Sequence, residues 1–149
     1  MICTRTAVAL LALSATVAQA AEGFISMPSA HGPKATMDKL EAIVKAKGMK
    51  VFARIDHAKG AASVGKTLRP TELIIFGNPQ GGTPFMQCAQ TVGIDLPLKA
   101  LVWQDAEGRT WLGYTDPVWI AARHGSGECA VVPVLAKALS GLANAATAP

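Results

Sequence analysis

Two runs, Leu98–Gln104 and 110–114, flank the five-residue connection Asp105-Ala106-Glu107-Gly108-Arg109. A short polar connection containing glycine turns a strand back onto its neighbour, so this stretch predicts a β-hairpin and, with it, an antiparallel sheet. The rest of the chain must be arranged around that pairing. Leu73-Ile74-Ile75-Phe76, closed by Gly77-Asn78-Pro79, is a continuous apolar run with a sharp exit, the pattern of a strand covered on both faces. Residues 50–57 alternate Val51, Ala53 and Ile55 with Phe52, Arg54 and Asp56, which predicts a strand with the first set in the core. Residues 23–27 suit an edge or first strand.

Helices are expected between these strands. Met37, Leu40, Ile43 and Val44 recur at helical spacing behind Thr36, which stands where an N-cap belongs, and ahead of Gly48; a helix over 36–47 follows. Residues 58–68 and 83–92 read as short helices, the second with Pro84 at its first position. Asp116 before Pro117 is an N-cap followed by proline at N1, opening a helix toward His124. A final helix is expected over 131–142, with a frayed tail from 143 to 149. The sum is an α+β domain, an antiparallel sheet with helices on one face in a β-α-β(4)-α arrangement.

The first 20 residues read as a secretory signal peptide: Arg5 supplies the charged start, 7–18 are apolar and small, and Ala18-Gln19-Ala20 precedes the expected cut. Its apolar run is too short for a spanning helix, and no later segment is long and uncharged enough. Cleavage leaves about 130 residues, one domain's worth, in a periplasmic or secreted location. It also removes Cys3 of the three cysteines, leaving Cys88 and Cys129 as the disulfide candidates in a compartment that permits the bond. Two buried thiols are the alternative. The formal net charge of +4 is mild, and much of it comes from Lys34, Lys39, Lys45, Lys47 and Lys50 around one helix. Without interleaved aromatics this is a solvated face, and nucleic acid is not expected as a partner.

Polar residues capable of chemistry gather at strand ends, where sites tend to be built. Asp56-His57 closes the second strand. Gly77-Asn78-Pro79-Gln80-Gly81-Gly82-Thr83 is glycine-rich but lacks the Lys and Ser/Thr of a P-loop. Asp95 and Lys99 are placed for a salt bridge, Asp116 for a helix cap, and His124 for a helix C-terminus. No Gly-x-Ser-x-Gly is present, and neither His-x-x-x-His nor Cys-x-x-Cys occurs.

Taken together, Ala53-Arg54-Ile55-Asp56-His57, Leu68-Arg69-Pro70-Thr71-Glu72-Leu73, Ile75-Phe76-Gly77-Asn78-Pro79, Asp95-Leu96-Pro97-Leu98-Lys99 and Tyr114-Thr115-Asp116-Pro117, followed by Ala122-Arg123-His124-Gly125, resemble the DUF302 family, whose function is unknown. The likeness runs over about 36–125, with 21–35 as an N-terminal strand and loop and 126–149 as a C-terminal helix and tail. It implies a fold similar to that of the TATA-binding protein, and it groups His57, Asn78, Asp116 and His124 as recurring motif residues.

The expectation is an exported, non-catalytic module binding an unknown small molecule or metal in a polar pocket formed by His57, Asn78, Asp116 and His124. The alternatives are a copper- or zinc-handling protein using His57 and His124, and a hydrolase-like enzyme with a histidine general base. A purely structural or dimerising domain, with a homodimer as the partner, is a further alternative, favoured where a sheet edge is exposed and no pocket exists. The sequence identifies no cofactor.

Overall fold

The computed structural model describes residues 22–149, so the expected signal peptide lies outside the described residues. The chain runs β1 (Phe24–Pro28), α1 (Pro33–Ala46), β2 (Lys50–Asp56), α2 (His57–Ser63), β3 (Thr71–Gly77), α3 (Pro79–Cys88), a 3-10 turn (Gln90–Ile94), β4 (Leu98–Gln104), β5 (Thr110–Thr115), α4 (Pro117–Arg123) and α5 (Val132–Thr147). All five strands form one antiparallel sheet in the order β1-β5-β4-β3-β2. This is the α+β arrangement expected, and the three short helices expected between and after the strands are α2, which ends at Ser63, α3 and α4.

The two long helices lie on one face of the sheet. Met37, Leu40 and Val44 of α1 and Leu139, Leu142, Ala143 and Ala146 of α5 pack on Ile74, Phe76, Ala100, Val102, Leu112 and Tyr114. A smaller cluster at one end joins Phe85, Val92, Ile120, Ala121, Cys129 and Val132. Burying such side chains stabilises the fold by about 1.5–3 kcal/mol each. The tail expected to fray is therefore helical: Ala143, Ala146 and Thr147 are buried, and Thr147 O accepts from Ala30 N.

Several local expectations change for physical reasons. Helix α1 begins at Pro33 with Gly32 as N-cap, and Thr36 is interior, its hydroxyl bonded to Gly32 O and Ser29 Oγ. Helix α3 begins four residues early at Pro79, because Asn78 Oδ1 accepts from Gly81 N and supplies the cap; Pro84 then lies inside the helix. A bulge between Val51 and Ala53 splits the expected inward set of β2. Val51 stays on the helix side opposite Phe76, whereas Ala53 and Ile55 fall on the other face, opposite Ile75 and Leu73. Arg54 consequently points toward α1 and is held by Glu72, Asp38 and Glu41 at 2.7 to 2.9 Å.

The apolar run of β3 also behaves differently from the expectation. Ile74 and Phe76 are fully buried, but Leu73 and Ile75 are only half-buried, because they face away from the helices.

Candidate functional site

The register fixes which candidate residues share a neighbourhood. Lys50 pairs with Gly77 and Asp56 with Glu72, so His57 and Asn78 follow opposite ends of the β2/β3 pair, roughly 20 Å apart at the usual strand rise. Phe76 pairs with Leu98, and Ala100 with Tyr114, which puts Asn78, Asp95 and Asp116 at the same end of the sheet. His124 joins that end through Asp95, and His57 does not. A single pocket containing all four residues is therefore not formed, and His57 and His124 cannot ligate one ion together. Among the described residues there is no group of three or more His, Cys, Asp or Glu able to hold a metal.

His124 is the C-cap of α4 and has both ring nitrogens engaged. Nε2 stands 2.7 Å from Asp95 Oδ2 and Nδ1 stands 2.9 Å from Thr91 Oγ1. Asp95 also receives Arg123 Nη1 at 2.9 Å and 3.2 Å. The expected Asp95–Lys99 ion pair is replaced: Lys99 Nζ donates to the carbonyls of Asp95 and Pro97. Asp–His–Thr connectivity is that of a proton relay. Here, however, the imidazole is 9% exposed and Thr91 faces solvent, so the cluster works as a clamp fastening α4 to the 3-10 turn.

Asp116 Oδ1 accepts from Val118 N and caps α4, as its Asp-Pro sequence foretold. Asp56 Oδ1 accepts from Lys59 N and caps α2, leaving His57 exposed on the first helical turn.

Beside Asn78 lies a cavity of about 390 Å³, within the range of small-molecule sites. Its wall is built from Met49 and Phe52 around the start of β2, Gly77 to Pro79 and Gly81 to Thr83 at the exit of β3 and in α3, Met86, Gly93, Leu96 to Leu98, and Leu135 of α5. Phe52 is the bulged residue and is 50% exposed at this site. The glycines matter here as space. A Cβ on Gly81 would stand 3.1 Å from Leu135 Cδ2, and one on Gly82 would stand 3.6 Å from Leu96 Cδ1. The wall carries no carboxylate, lysine, arginine or histidine. Asn78 is its one side-chain amide: Oδ1 is spent on the helix cap, and Nδ2 has no protein acceptor among the described residues.

Cys88, at the end of α3, and Cys129, in the segment ahead of α5, are at disulfide distance with Cα atoms 6.0 Å apart, a link between the helix that carries Met86 and the approach to the helix that carries Leu135. Of the cavity, sequence reasoning identified only the glycine-rich stretch and Asn78. The methionines pass for ordinary core filler, and the apolar wall has no local signature because its parts are distant in sequence.

A family model described as "Domain of unknown function DUF302" matches residues 25–145, extending over β1 and most of α5. The fold is shared with the crystal structure of an uncharacterized conserved DUF302 protein from Bacillus stearothermophilus, at a TM-score of 0.77 and 20% identity over 85% of this chain and 99% of that one. The chain is also 46% identical over 114 residues to a protein named fluoride-specific ion channel FluC 1 of Brucella suis biovar 1, and equally to one of that name from Brucella abortus biovar 1. These matches take in 76% of this chain but only 45% and 42% of the relatives, so the chain spans less than half the length of the curated proteins it matches. No helix among the described residues is long and apolar enough to cross a membrane.

Proposed function

The chain belongs to the DUF302 family, whose function is unknown, and from its own geometry we propose a binding module for a small, uncharged, largely apolar ligand. The observation that carries this reading is the preformed cavity of about 390 Å³, walled by Met49, Phe52, Met86, Leu96, Leu98 and Leu135, with one free amide donor on Asn78. Apolar walls supply affinity through area removed from water, and the few polar groups among them, the Asn78 amide and the Thr83 hydroxyl, fix orientation. Thioether side chains tolerate varied shapes, which favours adaptable apolar recognition. A charged ligand would be left without a counter-charge, at a cost that the wall does not offset.

Catalysis by His124 is disfavoured because neither ring nitrogen is free to act as general base on a bound molecule. An exported setting is part of the proposal; the leader-like start and the Cys88–Cys129 bond support it. The channel name belongs to the Brucella proteins, most of whose length lies outside the match. It suggests that a module of this kind also works joined to a transport protein.

The test uses two substitutions at one position. Asn78→Asp keeps the capping oxygen but removes the amide donor, whereas Asn78→Ala removes both and costs about 1 kcal/mol of stability. A panel of neutral apolar compounds bearing one carbonyl or hydroxyl is screened by thermal shift. Compounds that stabilise the parent protein should do so less in Asn78→Asp, and not at all in Met86→Trp, where the indole fills the cavity. Equal stabilisation in parent, Asn78→Asp and Met86→Trp would refute the reading.

A further inference from the structure

The face of the sheet turned away from α1 and α5 carries neither long helix, and the register arranges it in three rows. Thr71, Trp103, Trp111 and Pro28 form one row, and Ile55, Leu73, Leu101, Gly113 and Ser26 the middle row. Ala53, Ile75 and Lys99 begin the third. A face bare to water is normally built from polar side chains alternating with the core set. Here β3 instead keeps the unbroken Leu-Ile-Ile-Phe run of a strand meant to be covered on both sides.

The face is also nearly free of charge. Phe24 lies over Gly113, where a Cβ would fall inside its ring, and reaches Trp103 at 5.9 Å between centroids; Trp103 stacks on Trp111 at 6.3 Å. Lys99 is the one charged residue in the rows, and its ammonium is drawn off the face to the carbonyls of Asp95 and Pro97 beyond the strand end. Polar groups return at the margin, where Arg109 lies over Trp111 and pairs with Asp105.

We propose that this face is a self-association surface, on which a second copy of the chain packs sheet to sheet about a two-fold axis near Leu101. Leu101 is the middle residue of the middle strand, and the two halves beside it differ. Leu73, Ile75 and Ile55 make an aliphatic half, and Phe24, Trp103 and Trp111 an aromatic one. A two-fold axis through β4 lays the aliphatic half of each copy on the aromatic half of the other, a self-complementary contact that buries no unpaired charge. Five strands about 4.8 Å apart and six residues long offer roughly 480 Å² of face per copy, near the lower bound for specific interfaces once both copies are counted. The polar margin adds to it. The expected dimer is therefore concentration-dependent rather than permanent.

Sedimentation velocity of the purified protein from low to high micromolar concentration should show a reversible monomer–dimer equilibrium. Leu101→Glu buries a carboxylate at the axis and should abolish it. Ile55→Glu, nearer the edge, should weaken dimerisation about tenfold or more. Ile55 is 40% exposed on an edge strand, so this variant should keep the parent's far-ultraviolet circular dichroism and carries the test even where Leu101→Glu fails to fold. A parent protein that stays monomeric throughout the range overturns the proposal. So does an Ile55→Glu protein that dimerises like the parent, or a monomer whose open face instead binds lipid vesicles.

Discussion

Breaking the Cys88–Cys129 bond has an effect that can be worked out in advance. The bond spans a sequence separation of 41. A cross-link of that span removes loop-closure entropy from the unfolded chain worth about 4 kcal/mol at 25 °C. Melting entropy for a domain of about 130 residues is roughly 0.27 kcal/mol/K, so the reduced protein should melt roughly 15 °C lower. The loss should begin at one end of the molecule. Phe85, Val92, Ile120, Ala121, Cys129 and Val132 form a small cluster separate from the main core, and the bond crosses it. Calorimetry with and without reductant, with free thiols counted, measures the shift; hydrogen exchange should show α3 and the 3-10 turn losing protection before β3 and β4. The double variant Cys88→Ala/Cys129→Ala should reproduce the reduced melt. If the fully reduced protein melts within about 2 °C of the oxidised one, the loop-entropy reasoning is wrong for this fold.

Two further outcomes concern charge. Burial alone would raise the carboxyl pKa of Asp105, but the Trp111 indole N–H, the Arg109 backbone N–H and the Arg109 guanidinium hold it at about 2, below its ordinary 3.8. Its contribution to stability is thus complete above pH about 4 and lost as pH falls through about 2. The melting-temperature gap between the parent and Asp105→Asn should be widest near neutrality and close toward pH 2; a gap independent of pH would count against this. Arg54 is the hub for Glu72, Glu41 and Asp38; Lys45 first and then Arg54 hold the Glu41 carboxyl below its usual range, and Lys34 first and then Arg54 do the same for Asp38. Arg54→Met should cost about 1–3 kcal/mol at pH 7, with Asp38 adding little because it is over a third exposed. Part of that loss should return near pH 4 in denaturant titrations, as the orphaned carboxylates take up protons; a constant loss from pH 7 to 4 would contradict it.

Elements that announce themselves locally were legible in the sequence. The β4/β5 hairpin follows from its glycine-containing turn, and the Asp116-Pro117 helix start follows from cap chemistry that needs nothing beyond neighbouring residues. Features set by tertiary packing were not legible. Thr36 has the side chain of a cap, yet α1 begins at Pro33 because the chain leaves Ser29 already turned toward Thr147. The alanine-rich tail has no capping signal, and it is helical because Ala143 and Ala146 are buried against the core. The bulge at Phe52 reverses one side of β2, and no residue type in that stretch demands it.

The candidate site shows the same division, and the motif residues explain why. Asp56, Asn78 and Asp116 each stand at a strand's end, and each accepts a backbone N–H of the helix that starts on the next residue. A strand passing directly into a helix leaves the first helical N–H groups without partners, and a short Asp or Asn side chain at that corner satisfies one of them. The polar set that the resemblance grouped is thus explained first by three strand-to-helix corners, at both ends of the sheet, rather than by one shared ligand. His57 follows because it begins α2, and His124 because it closes α4 onto Asp95 and Thr91. Of these residues, Asn78 alone lines the cavity. An aspartate in its place would cap α3 equally well, so the cap does not require the amide nitrogen of a residue that lines the apolar cavity. The spare donor, not the histidines, is what points to a ligand.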